Sequence, residues 1–327
     1  MTRYDKPDWT KVVESLQSAE TVVLACHVNP DGDALGSLLA LTLGLGKLGK
    51  NTFATWGTKP LSVPPALAFL PGADQLRDYT DAPDAPVFVA LDCGAAHRLG
   101  DLEAAARKSQ TLINIDHHPG NEDFGTLNIV VTSASSTAEI VTRLLLDLDV
   151  GFDTGIATCL YTGVVTDTGR FQFSNSTPET LRLAANLLEF DVEHPAVAQE
   201  VYESAPFGYM KLLGHVLERA TLSEDVRFIH SWFTRADLEE TGVGPDETDS
   251  LIDAIRSTRD ADVAAMFKEQ ADGRYRVSLR SKGPVSVGAI ARNHGGGGHE
   301  LAAGMTVDTV EAGVETILKE LRAQVEH

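Results

Sequence analysis

The sequence predicts an α/β protein: an N-terminal doubly wound, mostly parallel sheet, followed by a smaller α/β domain with a mixed sheet. Three observations predict it. Short apolar, β-rich runs alternate with amphipathic stretches over the first ~185 residues, the rhythm of consecutive βα units. That rhythm gives way to helical, connective sequence at 186–222 and then restarts. Acidic and histidine residues gather where the apolar runs end, which is where open parallel sheets bind ligands.

Taken in order, TVVLAC (21–26) is the first strand. A helix follows over 33–49, with Leu35, Leu38, Leu39, Thr42, Leu45 and Leu48 at helical spacing and Gly49 as its stop. Pro60–Pro65 and Pro83–Pro86 mark loops. VFVAL (87–91) and TLINI (111–115) are the next strands. Ala138, Ile140, Val141, Leu144 and Leu145 predict a helix over 136–147, and a further one over 153–166 puts Asp167 at a helix end. AANLLEF, AVAQEVY and YMKLLGHVLERA read as connecting helices. Beyond them come strands within 226–233, 261–270 and 274–280, and helices within 246–257, 285–292 and 309–325. The expected division is a first domain at 1–186, a helical linker at 187–222 and a second domain at 223–327.

Composition narrows the function. With 327 residues and a formal net charge of −20, the chain offers no broad basic face for long duplex nucleic acid. It has no uninterrupted apolar run of membrane-spanning length, and its polar start, MTRYDKPDWTKVVESLQ, lacks the apolar core of a secretory leader. Cys26, Cys93 and Cys159 lie in apolar surroundings without metal-type spacing, as buried thiols of a reducing compartment do, so the expected location is cytoplasmic. Aromatic residues are 6% of the chain and form no basic-aromatic stripe, so base stacking falls to one or two side chains.

The chemistry-bearing residues form four clusters: His27-Val28-Asn29-Pro30-Asp31-Gly32-Asp33, Asp92, Asp116-His117-His118, and Asp167 in VVTDTGRF. Pro30 fixes φ and Gly32 permits an unusual backbone angle, so alternate side chains of the first cluster can point into one cleft. The plainer reading of that segment is an Asp-Gly turn with Asp33 capping the helix. Two adjacent histidines after a buried acid are seldom explained by packing, and neutral imidazole suits Mn²⁺, Fe²⁺ or Zn²⁺. So many carboxylates in one cleft repel each other unless divalent cations neutralise them, which predicts a two-metal hydrolytic centre. In the second domain, Arg280-Ser281 ends a β-type run, and Arg suits bidentate phosphate contacts. Gly295–Gly298 before His299 reads either as a flexible linker or as backbone brought close to an anion; His294, His299 and the following LAAGM favour the second. Arg170 reads equally as a phosphate contact or a surface arginine, and His97, His194, His215, His230 and His327 lie outside the clusters.

HVNPDGD, VALDCG, DHH at 116–118 and GVVTDTGRF together resemble the four motifs of the DHH phosphoesterases, and GGGGHELAAG (295–304) resembles the signature of that family's associated C-terminal domain. The likeness runs from about residue 20 to 310, and length and domain order look most like the bacterial nanoRNase and pAp-phosphatase subgroup, which includes linear dinucleotide phosphodiesterases. The resemblance implies two divalent ions, Mn²⁺ by preference, and in-line attack of a bridging hydroxide at phosphorus. It implies that His27 and Asp31 bind one ion, that Asp33, His117 and Asp167 bind the other, and that Asp92 bridges both. His118 would face the scissile phosphate, with Asp116 orienting the histidines. Arg280, Ser281, Asn293, Gly297, Gly298 and His299 would hold substrate, with Arg170 as a further contact. The expected substrates are short single-stranded RNA or DNA, pApA and pAp, in a protein without membrane or long-duplex partners; homodimer formation stays open. The rival readings are a family II-type inorganic pyrophosphatase, a RecJ-like single-strand exonuclease, and a non-catalytic nucleotide sensor.

Overall fold

A computed structural model describes residues 4–283 and 285–325. The chain divides into two compact units, 1–204 and 205–327, so the break falls inside the helical stretch 187–222.

The first unit runs α1 (Trp9–Ser18), β1 (Thr21–Cys26), α2 (Gly32–Lys47), β2 (Asn51–Thr55), β3 (Val87–Leu91), α3 (Glu103–Lys108), β4 (Thr111–Asp116), β5 (Leu127–Val130), α4 (Thr137–Asp147), α5 (Thr154–Asp167), α6 (Pro178–Leu188) and α7 (His194–Tyr202). Its five strands are all parallel, in the order β2-β1-β3-β4-β5. This is a doubly wound order, with its topological switch point between β1 and β3. The central strands read as continuous apolar runs because both faces are covered. Val22, Leu24, Val89, Leu91, Ile113 and Ile115 join the core that α2, α4 and α5 complete. Val23, Ala25, Phe88, Ala90 and Leu112 face the other way, onto Leu99, Leu102 and Ala106. Helices α2 and α5 cross almost backbone to backbone: a Cβ at Gly36 would lie 2.4 Å from the Cys159 carbonyl oxygen. A side chain there would force the helices apart and move Asp33, at the start of α2, away from Asp167, at the end of α5.

The predicted helices at 33–49, 136–147 and 153–166 form within two residues of those limits, and Asp167 is the last residue of α5. The sequence pattern does not mark α1, whose buried Trp9, Val12 and Leu16 are sparse in a polar segment. Nor does it mark β2 and β5, the two edge strands, where burial on one side is incomplete. All three cysteines are free and buried. Among the described residues no helix is long and apolar enough to cross a membrane.

The second unit runs α8 (Phe207–Glu218), β6 (Thr221–Ser223), β7 (Phe228–Phe233), α9 (Arg235–Thr241), α10 (Leu251–Arg256), β8 (Val263–Glu269), β9 (Tyr275–Ser281), α11 (Val287–Asn293), β10 (Gly297–His299), β11 (Ala302–Val307) and α12 (Val310–Val325). Its mixed sheet has the order β10-β11-β9-β8-β7-β6, with only β7 and β8 parallel. The helix expected over 246–257 shortens to α10, after a separate 3₁₀ turn at Pro245–Glu247. One sheet face packs Val277, Leu279, Ala303 and Met305 on Ile290 of α11 and on Ile317 and Leu321 of α12. The other packs Ala264 and Met266 on Leu212 and Val216 of α8 and on Leu251 and Ile255 of α10.

The best-satisfied ion pair of this unit ties α8 to α9. Arg219 donates to both Asp237 oxygens at 2.6 and 2.8 Å, and the same carboxylate accepts from the Thr234 backbone and hydroxyl at 2.7 and 2.8 Å, closing a capping box. Asp237 is buried while Arg219 is part exposed, so Asp237→Ala loses the charged hydrogen bonds and the cap and is expected to cost about 1.5–3 kcal/mol. The Arg219 guanidinium, with the Thr234 contacts, holds the Asp237 carboxyl well below its usual value. A depressed carboxyl contributes stability above its unfolded pKa of about 4, and that contribution is lost as pH falls toward the folded value. Urea melts of wild type and Asp237→Asn should therefore differ most above about pH 4 and converge below it. A difference that stays constant with pH would remove the ionised pair as its source.

Candidate metal centre

Four clusters distant in sequence meet beyond the carboxyl ends of β1, β3 and β4 in the first unit, beside the switch point. His27 follows β1, and its Nδ1–H donates to the Val28 carbonyl at 2.9 Å. The ring thus presents Nε2 to the carboxylates, 3.8 Å from Asp31 Oδ2 and 3.5 Å from Asp92 Oδ2. The helix cap is Asp31 and not Asp33, as the plainer reading had it: Asp31 Oδ1 accepts from the Asp33 and Ala34 amides at 3.1 and 3.0 Å, and leaves Oδ2 toward His27. Asp33 is fully buried and held from elsewhere. Its two oxygens accept from the Thr137 and Ala138 amides at 2.7 and 2.9 Å, so the positive end of α4 fixes its direction.

Asp92 follows β3 with a left-handed φ of 57°, a conformation that Asp tolerates better than most residues and that is found at strained functional positions. Its Oδ2 faces His27, while its Oδ1 lies 3.8 Å from His117 Nε2 and accepts from the Thr137 hydroxyl at 2.8 Å. His117 repeats the arrangement of His27: Nδ1 lies 3.3 Å from the Ala134 carbonyl, and Nε2 lies 3.8 Å from Asp33 Oδ2 and 3.5 Å from Asp167 Oδ2. His118 differs. Its side chain is 28% exposed against 3% for His117, and its Nδ1 sits 2.8 Å from Asp116 Oδ1. Asp116, wholly buried as the last residue of β4, is braced by Asn121 Nδ2 at 2.6 Å.

Among the described residues the ligand-capable atoms of the first unit form three compact groups, His27-Asp31-Asp92, Asp33-Asp92-His117 and Asp92-Asp116-His118, and Asp92 belongs to all three; in the last, His118 Nδ1 already lies 2.8 Å from Asp116. Asp167 adjoins the second group through His117. Donors about 2.1 Å from a shared ion stand about 3–3.5 Å from each other, close to the 3.5–3.8 Å separations here, which are long for hydrogen bonds. The electrostatics agree. Burial opposes a charge on His27, yet Asp31 and Asp92 together raise it to about 10; His118 is likewise raised to about 9, by Asp116, Asp92 and Asp167. Burial and the Asp92 charge push Asp33 well above its usual value and Asp167 to about 6, while Asp92, against its burial, is held low by the imidazoles. Without added positive charge these acids stay ionised only at the expense of protonated imidazoles. Oxygen and neutral-nitrogen donors around such a deficit fit divalent cations.

Supporting residues that the motif reading does not identify come mostly from SSTAE (135–139). Ser136 caps α4, Thr137 bonds Asp92, and buried Glu139 accepts from the Ser135 amide and hydroxyl. Their signal was an S-x-x-E capping box directly before an apolar helix. Asn175 anchors the end of α5, with Nδ2 donating to the Asp167 and Ser135 carbonyls at 3.1 and 2.8 Å. Arg170 follows α5 with φ 61° and lies over the Tyr202 ring at 4.1 Å.

In the second unit, strand alternation separates residues that are neighbours in sequence. Arg280, Ala302 and His299 form one row across β9, β11 and β10, on the face away from Leu279 and Ala303. Ser281 points to the opposite face and is buried, its hydroxyl accepting from the Gly283 amide. Asn293 ends α11 and donates to Glu320. Gly295–Gly298 is neither a linker nor an open loop, because Gly297–His299 pairs with β11 as an edge strand. Gly298 takes φ 132°, and a Cβ there would lie 2.6 Å from the Ala302 carbonyl oxygen, so glycine is what this hairpin admits. Arg276 shares the Arg280 face four residues back on β9, and Lys268 stands beside Arg276 on β8. Of the remaining histidines, His215 contacts Asp237, and His327 lies outside the described residues.

Residues 21–164 match the DHH family N-terminal domain and residues 225–327 match the DHHA1 domain. The chain is 34% identical over 324 residues to the bifunctional oligoribonuclease and PAP phosphatase NrnA of Thermus thermophilus, covering 97% of this chain and 95% of that one. It is 33% identical to the protein of the same name from Bacillus subtilis, covering 95% and 99%. In structure it is similar to an exopolyphosphatase-related protein from Bacteroides fragilis, with a TM-score of 0.87 and 25% identity over 96% of this chain and 95% of that one. A DHH domain followed by a DHHA1 domain, with such likeness over nearly the whole chain, places it: the protein belongs to the DHH family.

Proposed function

We propose that this protein is a metal-dependent phosphoesterase that hydrolyses short oligoribonucleotides, linear dinucleotides such as pApA, and pAp. The observation that carries the proposal is Asp92, whose two carboxylate oxygens face two different ligand groups. His27 and Asp31 would hold one divalent ion, Asp33, His117 and Asp167 the other, and Asp92 both. Such ions supply Lewis-acid polarisation of the phosphoryl oxygens and activation of water at neutral pH. The imidazole and carboxylate mixture favours Mn²⁺ over Mg²⁺. His118, the more exposed histidine of the pair, would contact the reacting phosphate, with Asp116 orienting its ring. The names of the relatives supply the substrate class, and buried, unbridged thiols fit a cytoplasmic protein.

The anion contacts away from the reacting phosphate are assigned to Arg280 and His299, which share one sheet face, with Gly297 and Gly298 shaping the strand beside them. Arg280→Ala and His299→Ala should keep metal content unchanged and raise KM for pAp and dinucleotides, each lost charge-assisted contact costing about 1.5–3 kcal/mol. Bis-p-nitrophenyl phosphate, which has no second anionic group, should be hydrolysed nearly as well by the variants as by wild type. Equal losses on both substrates would end the anchor assignment.

The function itself is tested by incubating the purified protein with Mn²⁺ and, separately, pAp, pApA, RNAs from dinucleotide length upward, and pyrophosphate. Cleavage of the nucleotides, falling off with RNA length, is the expected result. Phosphate release from pyrophosphate alone would overturn the proposal in favour of a pyrophosphatase, and inertness toward every substrate would favour a sensor.

A further inference from the structure

The segment ahead of β1 holds none of the clusters that form the centre, yet it is fastened to both ends of α4. At the far end Trp9 Nε1 donates to Asp147 Oδ2 at 2.7 Å. At the near end the Tyr4 hydroxyl donates to Glu139 Oε1 at 2.6 Å. Arg143, one turn further along α4, donates to the same oxygen at 2.9 Å, and its guanidinium lies 3.8 Å over the Tyr4 ring. Burial and the Glu139 carboxylate push the Tyr4 hydroxyl up, so it stays protonated and stays a donor.

Glu139 is buried, and its second oxygen accepts from the Ser135 amide and hydroxyl at 2.9 and 2.8 Å. One carboxylate therefore joins Tyr4 and Arg143 on one side to the turn 134–138 on the other. That turn meets three of the four side chains around the second ion position. The Ala134 carbonyl lies 3.3 Å from His117 Nδ1, the Thr137 hydroxyl donates to Asp92, and the Thr137 and Ala138 amides donate to Asp33. A buried carboxylate that loses a donor turns toward its remaining partners or draws in water, and the turn it holds shifts with it. The Trp9 bond offers the contrast. It ties the same segment to the same helix, but through Asp147, which is exposed and ends α4 away from the turn.

We propose that Tyr4 is a positioning residue for the metal centre: through Glu139 it sets the turn 134–138 and so the directions of Asp33, Asp92 and His117. The proposal rests on the metal-centre reading given above. The test is Mn²⁺ binding to the full-length protein by isothermal titration calorimetry, with the melting temperature taken on the same preparations. Tyr4→Phe keeps the ring under Arg143 and removes one hydroxyl. It should weaken Mn²⁺ binding about tenfold, the lower end of what losing an outer partner of a metal ligand costs. The Mn²⁺ concentration for half-maximal hydrolysis of pApA should rise by the same factor, while kcat at saturating Mn²⁺ stays within about threefold of wild type. Asp147→Ala breaks the bond at the other end of α4 and should lower the melting temperature while binding Mn²⁺ as wild type does. Wild-type affinity in Tyr4→Phe would overturn the proposal. So would affinities that fall in both variants in step with their melting temperatures, because Tyr4 would then act on the fold as a whole. Asp92→Ala tells the two levels apart. If it is empty of Mn²⁺ while Tyr4→Phe binds normally, only the role of Tyr4 falls; if it binds Mn²⁺ like wild type, the metal-centre reading falls and takes the proposal with it.

Discussion

Asp92→Ala is expected to lower kcat/KM on pApA by at least about 10³-fold and to empty the site of metal, because it removes the one carboxylate common to both proposed ion sites. The loss should exceed that from any other single carboxylate. Asp31→Ala leaves the second group intact, and Asp167 stands at the edge of that group. Asp92→Asn sharpens the result. Asparagine also tolerates the left-handed backbone and can still accept from Thr137, so the variant separates loss of charge from loss of shape. Its fold should be intact by circular dichroism while its metal content, measured by mass spectrometry of the protein's ions, drops. Activity within tenfold of wild type at saturating Mn²⁺ would falsify the bridging role.

The second large effect separates two adjacent histidines. His117→Ala should lose both metal and turnover, whereas His118→Ala should keep its metal and lose about 10²–10⁴-fold in kcat, the usual range for a positioned acid, base or phosphate contact. The difference follows from their surroundings. His117 is 3% exposed, and its Nε2 lies among Asp33, Asp92 and Asp167. His118 is 28% exposed, with Nδ1 directed at Asp116. Adjacent residues leaving a strand point in different directions, so equal roles are not expected. Metal analysis and kinetics on both variants decide the assignment. If His118→Ala is the one emptied of metal, the roles are reversed.

Much of this was legible before any coordinates. The central strands and the helices α2, α4 and α5 carry strong periodic signals because they are buried along their length. The positions of His27, Asp92 and Asp116-His117-His118 at strand ends predicted convergence, and the first unit brings them together. Two kinds of information were not legible. Edge strands such as β2 and β5 are covered on one side only, so their alternation is faint. The side-chain face of a short segment depends on register: Arg280 and Ser281 read as a pair, but strand alternation sends half-buried Arg280 to the face that carries Ala264 and buried Ser281 to the opposite one. Likewise, which of Asp31 and Asp33 caps α2 depended on α4, whose amides claim Asp33 from more than a hundred residues away.

That long-range claim has a consequence for how such a site is supplied. The first turn of α4 orients Asp33 through two amides and Asp92 through the Thr137 hydroxyl, and none of these three bonds involves an ion. These bonds would hold Asp33 and Asp92 in place apart from any ion, in contrast to small domains that are unfolded without their metal. On that arrangement an ion would leave and another enter without the chain refolding. Chelation should then act as a reversible switch, undone within the time of mixing, and the identity of the resident ion should follow whichever divalent cation the surroundings replenish. Starvation for one metal would change the rate of such a protein before it changed its abundance.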